Sequence, residues 1–351
     1  MMWFAWRQFR IQALIALALL IAVGIGFWLT GPGLLHDYNT TIVGCGARGN
    51  CQGAMNSFLS RDPFFQNLIR ESELLAALIG LFWGAPLVAR EFDTGTYRLA
   101  WTQSASRTRW LVSKLAIGAI ATVITAGLFT LMATWWSSPL DRVNDTPFSY
   151  FDTRDLAPIG YALFAFALGA ALGALVRRLI PAMVLTIVGF AAVRISFNQY
   201  VRTHFAPALH AAFAYSLPTG TGSRALKRGG SLKSSDWTIS TKVMNSAGKV
   251  FPTLGRGFGF QPDRNGAVTF VGAGRCPNKI PVAFNNGGAS SGPSKAVQEA
   301  LAKCVNSFHL HEVVSYQPAS RYWSFQWYEL GSYVVLSALL ASFSIWWIRR
   351  R

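Results

Sequence analysis

The chain lacks the residues that two kinds of chemistry require. No G-x-x-x-x-G-K-[ST] sequence is present: Gly248 and Lys249 come nearest, but Val243 stands where the first glycine belongs and Val250 follows the lysine. No phosphate-binding loop for ATP is therefore expected. Histidine is scarce, with 5 residues, and none lies in a long apolar stretch. A Ser–His pair for hydrolysis at bilayer depth is therefore excluded.

Charge is nearly absent from six long apolar stretches, which are residues 11–29, 74–89, 115–136, 159–176, 179–193 and 330–348. A helix rises about 1.5 Å per residue and needs roughly 17 to 25 apolar residues to cross a bilayer core. The second and fifth stretches are short, and we expect interfacial neighbours at 64–69 and 195–201 to extend them. The pattern predicts an all-α membrane domain of six transmembrane helices.

The remaining charges divide between the two sides of the membrane. With the N-terminus in the cytoplasm, the inner segments carry twelve basic residues against only Glu91 and Asp93, whereas the outer loops 30–73 and 137–158 carry five basic and eight acidic residues. Basic inner loops are what the positive-inside rule requires. This division also accounts for much of the net charge of +17. No uninterrupted basic face remains in a cytoplasmic domain, so no nucleic-acid partner is expected.

The four cysteines all fall in segments that this topology places outside the cell. Cys45 and Cys51 lie in the first outer loop, and Cys276 and Cys304 lie in the long segment before the last span. Disulfides persist in that environment. Local pairing predicts Cys45 with Cys51 and Cys276 with Cys304, although four cysteines allow three connectivities.

The chain divides into three regions. Residues 1–197 hold the first five spans with a cytoplasmic loop at 90–113, residues 198–326 form a small α+β extracellular domain inserted between helices 5 and 6, and residues 327–351 form the last span with a basic cytoplasmic tail.

The extracellular segment has its own pattern. Alternating apolar residues predict strands at 237–243 and 267–271, and a helical stripe predicts a helix at 296–305. A stretch rich in Gly, Ser and Lys at 219–235 predicts a linker.

Two short sequences resemble catalytic motifs, but neither has the neighbouring residues or structure that the motif requires. Residues 288–292 match G-x-S-x-G but lie in a run of Asn, Gly and Ser rather than in a strand–turn–helix. His311 and Glu312 begin like a zinc-protease helix, but Ser315 stands where the second histidine is needed. His309 and His311 alternate on an expected strand, and two ligands do not make a metal site. We expect no catalytic, cofactor or metal site in this chain.

Small residues recur within the spans. Gly80 and Gly84 lie four apart in the second span, as do Gly169 and Gly173 in the fourth. Such spacing lets helices approach closely, either within one chain or at a subunit interface.

Two charged residues lie near the outer ends of the spans. Arg194 lies well inside the fifth span and Glu329 opens the last one. They are expected either to pair near the outer leaflet boundary or to reach the interface separately.

The inner loop carries the most specific pattern. Arg90-Glu91, then Gly95-Thr96-Tyr97-Arg98, then Ser106-Arg107 and finally Lys114 follow one another between the second and third spans. This pattern resembles the intracellular loop of the ABC-2 type transporter permeases. The six spans, the cytoplasmic N-terminus and the aromatic segment 322–329 extend the resemblance, which is greatest to actinobacterial members with a large outer loop before the final span.

The resemblance implies the permease subunit of an ATP-driven exporter in a bacterial plasma membrane. In that family the loop docks onto a separate ATPase, here expected as a homodimer that binds ATP and Mg, and a second permease copy or a sister permease completes the transporter. The implied contact residues are Glu91, Gly95, Thr96, Tyr97, Arg98, Trp101, Arg107 and Arg109.

Elementary helix physics suits these loop residues. Glu91 and Asp93 are expected near a helix start, where the macrodipole favours them, and Gly95 in a tight turn. The alternative is a sensor or scaffold that displays a ligand-binding ectodomain and transports nothing.

Overall fold

The computed structural model describes residues 2–45, 51–95, 106–144, 146–214, 232–233, 235–244, 248, 250, 259–262, 268–271, 309 and 311–350. Its contacts divide the chain into two units. The first unit consists of Met1–Phe205 with Ser320–Arg351, and the second is Ala206–Ala319.

Among the described residues, six helical segments are long and apolar enough to cross a membrane, as the sequence predicts. We number them spans 1 to 6: Arg10–Val43, Ser72–Asp93, Arg107–Val143, Ala157–Val176, Leu179–His204 and Ala319–Arg350. Each contains one of the predicted stretches. We call the end of the spans at which Asp93 and Arg107 lie the loop end, and the opposite end, at which Ser72 and Ala157 lie, the far end.

Three spans contain a π-helical segment, which leaves their helices in pieces. The pieces are Met2–Asp37 and Tyr38–Val43 in span 1, Ser72–Ile79, Gly80–Gly84 and Ala85–Asp93 in span 2, and Leu179–Ser196, Phe197–Val201 and the 3₁₀ turn Arg202–His204 in span 5. The other spans contain the single helices Arg107–Asn144, Ala157–Val176 and Tyr322–Arg350, the last after the 3₁₀ turn Ala319–Arg321.

The predicted extension of span 2 by residues 64–69 is wrong. Those residues belong to a separate short helix, Pro63–Arg70, and the chain turns at Glu71 before span 2 begins. The two are separated because the backbone at Glu71 leaves helical geometry, with a φ of −88° and a ψ of 13°, and the next helix begins at Ser72. The expected extension of span 5 through 195–201 is confirmed by its π segment.

The loop after span 1 is closed by the disulfide that the sequence predicts. Cys45 and Cys51 are bonded, and the helix Gln52–Leu59 begins directly after the second of them. Cys276 and Cys304 lie outside the described residues, and their pairing stays a prediction.

Span 4 is the centre of the first unit. In the most apolar 18-residue stretch of span 4, 67% of the residues are buried. In the corresponding stretch of span 1, 6% are buried. Span 4 is rich in Ala and Gly, which allows neighbouring helices to approach closely. A Cβ atom on Gly84 would lie 2.4 Å from the Phe166 carbonyl oxygen, and one on Gly169 would lie 2.5 Å from the Gly80 oxygen. Spans 2 and 4 are therefore in backbone contact.

All four of the glycines singled out in the sequence take part in this contact. A Cβ on Gly80 would meet the Ala165 oxygen at 2.7 Å, and one on Gly173 would meet the Ala85 oxygen at 2.7 Å. Their packing is thus within one chain, which is the first of the two expected alternatives.

The described strands of the second unit form two antiparallel sheets. Strands β1 (Leu209–Ala214), β2 (Trp237–Met244) and β5 (His311–Gln317) form a sheet of order β1-β5-β2, and β3 (Gly259–Pro262) pairs with β4 (Val268–Val271). The strands expected at 237–243 and 267–271 correspond to β2 and β4. The helix expected at 296–305 lies outside the described residues, as does most of the linker expected at 219–235.

The expected alternation of His309 and His311 on one strand is wrong. His311 begins β5, whereas His309 lies in a turn with a φ of 45°. A left-handed residue cannot continue a strand, so the two side chains do not share one face.

Because spans 2 and 4 approach closely at Gly84, replacing that glycine by alanine should have the opposite effect on stability from the same substitution at Gly331, which lies in open space. In Gly84→Ala the new Cβ must displace the backbone at Phe166, so we expect a loss of about 1–3 kcal/mol in stability. The matched control is Gly331→Ala in span 6, where a Cβ meets nothing within 4 Å. Alanine is the better helix former by about 1 kcal/mol, so the control should be neutral or stabilising. Thermal unfolding of both variants in detergent measures the difference, and equal melting temperatures would contradict the packing.

Candidate functional site

The loop end of the spans holds a buried ion pair. Glu91 lies in the last turn of the helix Ala85–Asp93, and its carboxylate pairs with the ammonium group of Lys114 in span 3. Both residues are buried, with exposures of 8% and 5%. Lys114 also lies 4.8 Å from the centre of the Trp110 ring. The pair joins the two points from which the inner loop leaves the membrane domain.

The expectation that Glu91 and Asp93 lie near a helix start is wrong, because both lie at a helix C-terminus. The macrodipole disfavours acidic groups there. Lys114 compensates Glu91, which explains how a buried carboxylate persists at that end of the helix. Glu91 therefore faces span 3 rather than the surface.

The remaining loop residues are partly described. Gly95 has a φ of 74°, and its N–H donates to the Phe92 carbonyl at 3.3 Å, so it ends the helix in a conformation that favours glycine. Arg107 and Arg109 are exposed in the first turn of span 3. Thr96, Tyr97, Arg98 and Trp101 lie outside the described residues.

The far end of the spans holds a larger group of charges, which we name the far-end cluster: Glu73, Asp152, Tyr161, Arg194, Arg202, Glu329 and Tyr333. These residues come from spans 2, 4, 5 and 6 and from the segment before span 4. The cluster therefore joins four of the six spans.

The side chain of Glu329 is fully buried, with an exposure of 0%. Its carboxylate accepts hydrogen bonds from Arg202 at 2.8 and 2.7 Å, from the Tyr161 hydroxyl at 2.7 Å and from Arg194 at 3.2 Å. The structure thus brings together Arg194 and Glu329, the two charges singled out in the sequence. Removing one partner of such a buried pair typically costs about 3–5 kcal/mol.

Arg194 has partners on both sides of its guanidinium group. It donates to Glu73 at 2.8 Å and to Asp152 at 3.1 Å, and its central carbon lies 3.8 Å from the centre of the Tyr161 ring. The ring face adds a cation–π contact to the ion pairs. Three carboxylates therefore surround the two arginines of the cluster.

Asp152 lies between spans 3 and 4 and titrates differently from a solvated carboxyl. Burial alone would raise its pKa, but the charge and hydrogen bonds of Arg202, with the charge of Arg194, outweigh burial and hold the pKa below its ordinary value. A lowered pKa in the folded state means that Asp152 stabilises the fold fully above about pH 4, the pKa of an unfolded Asp. This contribution is lost only as the pH falls further.

Span 6 also caps span 4. The side-chain oxygen of Gln326 accepts hydrogen bonds from the N–H groups of Leu156 and Ala157, at 3.2 and 2.8 Å, where the helix of span 4 begins. Its amide nitrogen donates to the Phe151 carbonyl at 3.1 Å. Gln326 is fully buried, so it satisfies backbone groups that water does not reach.

No pattern in the sequence singles out Glu73, Asp152, Arg202 or Gln326, because their partners are distant in the chain. One local signal was present: Arg194, Asn198 and Arg202 recur every four residues in span 5, and Arg202 also donates to Asn198 at 3.0 Å. Within the described residues no three His, Cys, Asp or Glu side chains converge as a metal site would require.

A comparison with family models bears on these features. The family model described as ABC-2 membrane transporter related matches residues 17–202, just over half of the chain. The matched segment includes the loop-end pair and every residue of the far-end cluster except Glu329 and Tyr333. Comparisons with curated proteins and with solved structures give no match.

The family match agrees with the resemblance seen in the sequence of the inner loop. With its six apolar helices, the protein is a multi-pass membrane protein. It belongs to the ABC-2 membrane transporter related family.

Proposed function

We propose that this chain is the permease subunit of an ATP-driven exporter in a bacterial plasma membrane. A separate ATPase homodimer supplies the energy and contacts the loop at 90–113, and a second permease copy or a sister permease completes the transporter. The termini and this loop lie in the cytoplasm, and residues 198–326 lie outside the cell. Family membership supports the transporter class.

The observation that carries the proposal is the buried pair of Glu91 and Lys114. The inner loop leaves span 2 just after Glu91 and enters span 3 just before Lys114. Because the pair is buried, its two charges have no water to replace a lost partner, and the two loop roots stay together. A force on the loop therefore moves both spans together.

The glycine contacts carry this force further into the molecule. Span 2 touches the backbone of span 4 from Gly80 to Ala89, directly before Glu91. Packed interiors are stiff and transmit displacement. A push on the loop therefore reaches span 4, around which the bundle is built.

Glu91 has a positioning role in this proposal. Arg107 and Arg109 are exposed at the loop end, and arginine is a frequent anchor at protein interfaces. We assign the direct ATPase contact to them and to the loop residues Gly95, Thr96, Tyr97, Arg98 and Trp101.

Reversing one loop arginine tests the ATPase contact. The tagged chain is purified from its native membranes, and the P-loop protein that accompanies it is identified by mass spectrometry and assayed for ATP hydrolysis. Arg109→Glu should reduce recovery of the ATPase at least about tenfold, the effect of a hot-spot residue. Arg142→Glu is the matched control, an exposed arginine at the far end of the same helix, and should leave recovery unchanged. The contact is refuted if the two variants recover the ATPase equally, and the proposed function is refuted if the wild-type chain recovers none.

A charge exchange tests the positioning role of Glu91. Each single variant, Glu91→Lys and Lys114→Glu, leaves a like-charge pair buried, so we expect a loss of about 3–5 kcal/mol in stability. The double variant restores an ion pair and should recover both the melting temperature and ATP hydrolysis by the complex. Asp93→Lys, at an exposed carboxylate of the same helix turn, should have little effect on stability. A double variant that folds but does not restore ATP hydrolysis would show that Glu91 contacts the ATPase itself.

A further inference from the structure

Different kinds of contact hold the two ends of span 2 against span 5. At the loop end, Ala85 and Ala89 pack with Ala182 in a small apolar cluster. At the far end, the carboxylate of Glu73 accepts a hydrogen bond from Arg194 at 2.8 Å. The loop-end contact is buried and apolar, whereas the polar contact at the far end is, among the described residues, the ion pair of Glu73 and Arg194.

Glu73 differs from the other carboxylates of the far-end cluster. Its side chain is 36% exposed, against 25% for Asp152 and 0% for Glu329. Within the described residues Arg194 is the one partner to which it is joined by an ion pair or hydrogen bond. Glu73 can therefore leave the cluster and be hydrated at once.

Arg194 does not become an unpaired charge when Glu73 leaves. It keeps Asp152 at 3.1 Å, Glu329 at 3.2 Å and the ring of Tyr161 at 3.8 Å. Removing one partner from a buried arginine is costly when no other charge remains, but here two carboxylates remain. The release of Glu73 exposes no uncompensated charge on either side.

Arg202 has the opposite character. It binds Glu329 through two hydrogen bonds and Asp152 through two more, one of them at 3.0 Å, and Glu329 has no access to water. These contacts join spans 5 and 6 to the segment before span 4. Breaking these ion pairs would leave unpaired charges in a buried site, which is costly.

We propose that the ion pair of Glu73 and Arg194 is a releasable latch between the far ends of spans 2 and 5, and that Arg202, Glu329 and Asp152 form a permanent clamp behind it. Opening the latch lets the far end of span 2 separate from span 5 while spans 4, 5 and 6 stay together. The role that we give to this motion, opening a path between spans 2 and 5 during transport, rests on the proposed function. The motion itself does not.

The latch is tested by measuring distances between pairs of spin labels in the purified chain in lipid nanodiscs. One pair of labels is attached at the far end through the substitutions Leu74→Cys and Ile195→Cys. A second pair is attached at the loop end through Arg90→Cys and Ile180→Cys, and all four positions are exposed. Wild-type chain treated with the label gives the background from native cysteines. Each pair is measured with and without Glu73→Gln, which removes the charge and keeps the shape.

Glu73→Gln should increase the population with the longer far-end distance about two- to fivefold, the factor expected for losing a partly exposed ion pair. The loop-end distances should not change. The control is Glu71→Gln, an exposed carboxylate two residues earlier, which should change neither pair.

The proposal is overturned if the far-end distances are the same with and without Glu73→Gln, if Glu71→Gln has the same effect, or if the loop-end pair shifts as well. Failure of the Glu73→Gln chain to fold would also overturn it, because a releasable contact is not required for folding. The measurement needs no ATPase, so it separates a failure of the latch from a failure of the proposed function.

Discussion

A charge that leaves water must find a partner, and this constraint organises the membrane domain. The interior of a bilayer cannot solvate an unpaired guanidinium, ammonium or carboxylate group. The buried charges described here accordingly lie in pairs or clusters near the two ends of the spans: Glu91 with Lys114 at one end, and Arg194 and Arg202 with their carboxylates at the other. Each pairing joins two different spans, or a span to the segment before span 4. The same requirement that makes these charges costly therefore determines which helices are neighbours.

Between the charged ends, close packing replaces electrostatics. Lipid chains are as apolar as leucine side chains, so burying leucine against leucine gives little reason for helices to associate in a membrane. The contact between spans 2 and 4 instead depends on missing side chains, at Gly80, Gly84 and Gly169. Their absence brings the backbones together and increases dispersion contacts along both helices. Span 4 can be surrounded on several sides because so few of its residues are bulky.

The sequence was sufficient for the parts of the fold that depend on local pattern. Apolar length predicted six spans, alternation predicted strands β2 and β4, and spacing within one loop predicted the bond between Cys45 and Cys51. It was insufficient where one residue interrupts a regular element, as Glu71 does before span 2 and the left-handed His309 does before β5, because such a local change of backbone leaves no hydrophobic pattern. It also placed Glu91 at the wrong end of a helix, since the acidic residue is tolerated there only through Lys114, which is 23 residues away.

The far-end cluster shows the same limit in a functional site. Arg194 and Glu329 attract attention because each is a charge within or next to an apolar stretch, and such charges are costly wherever they lie. Glu73 and Asp152 do not, because acidic residues are ordinary in the segments between spans. Only the folded chain shows that Glu73 binds Arg194, which lies 121 residues later in the sequence. Partners of this kind are fixed by helix packing and not by spacing in the sequence.

Span 2 differs from its neighbours in how its two ends are held. Its loop end is fixed by a buried ion pair to span 3 and by backbone contact to span 4, whereas the side chain of Glu73 at its far end is 36% exposed. Between them lies the π segment Gly80–Gly84, and Gln12 of span 1 donates a hydrogen bond to the Phe82 carbonyl within it, at 3.1 Å. Helices bend most readily where the regular hydrogen-bond ladder is interrupted. The part of span 2 before this segment is joined to span 5 by a partly exposed ion pair, whereas the Ser72 hydroxyl donates to the Thr153 carbonyl at 3.3 Å and ties the same part to the segment before span 4. Release of Glu73 is therefore expected to move this part of span 2 relative to span 5. The ion pairs therefore determine where the membrane domain can open as well as how it is held together.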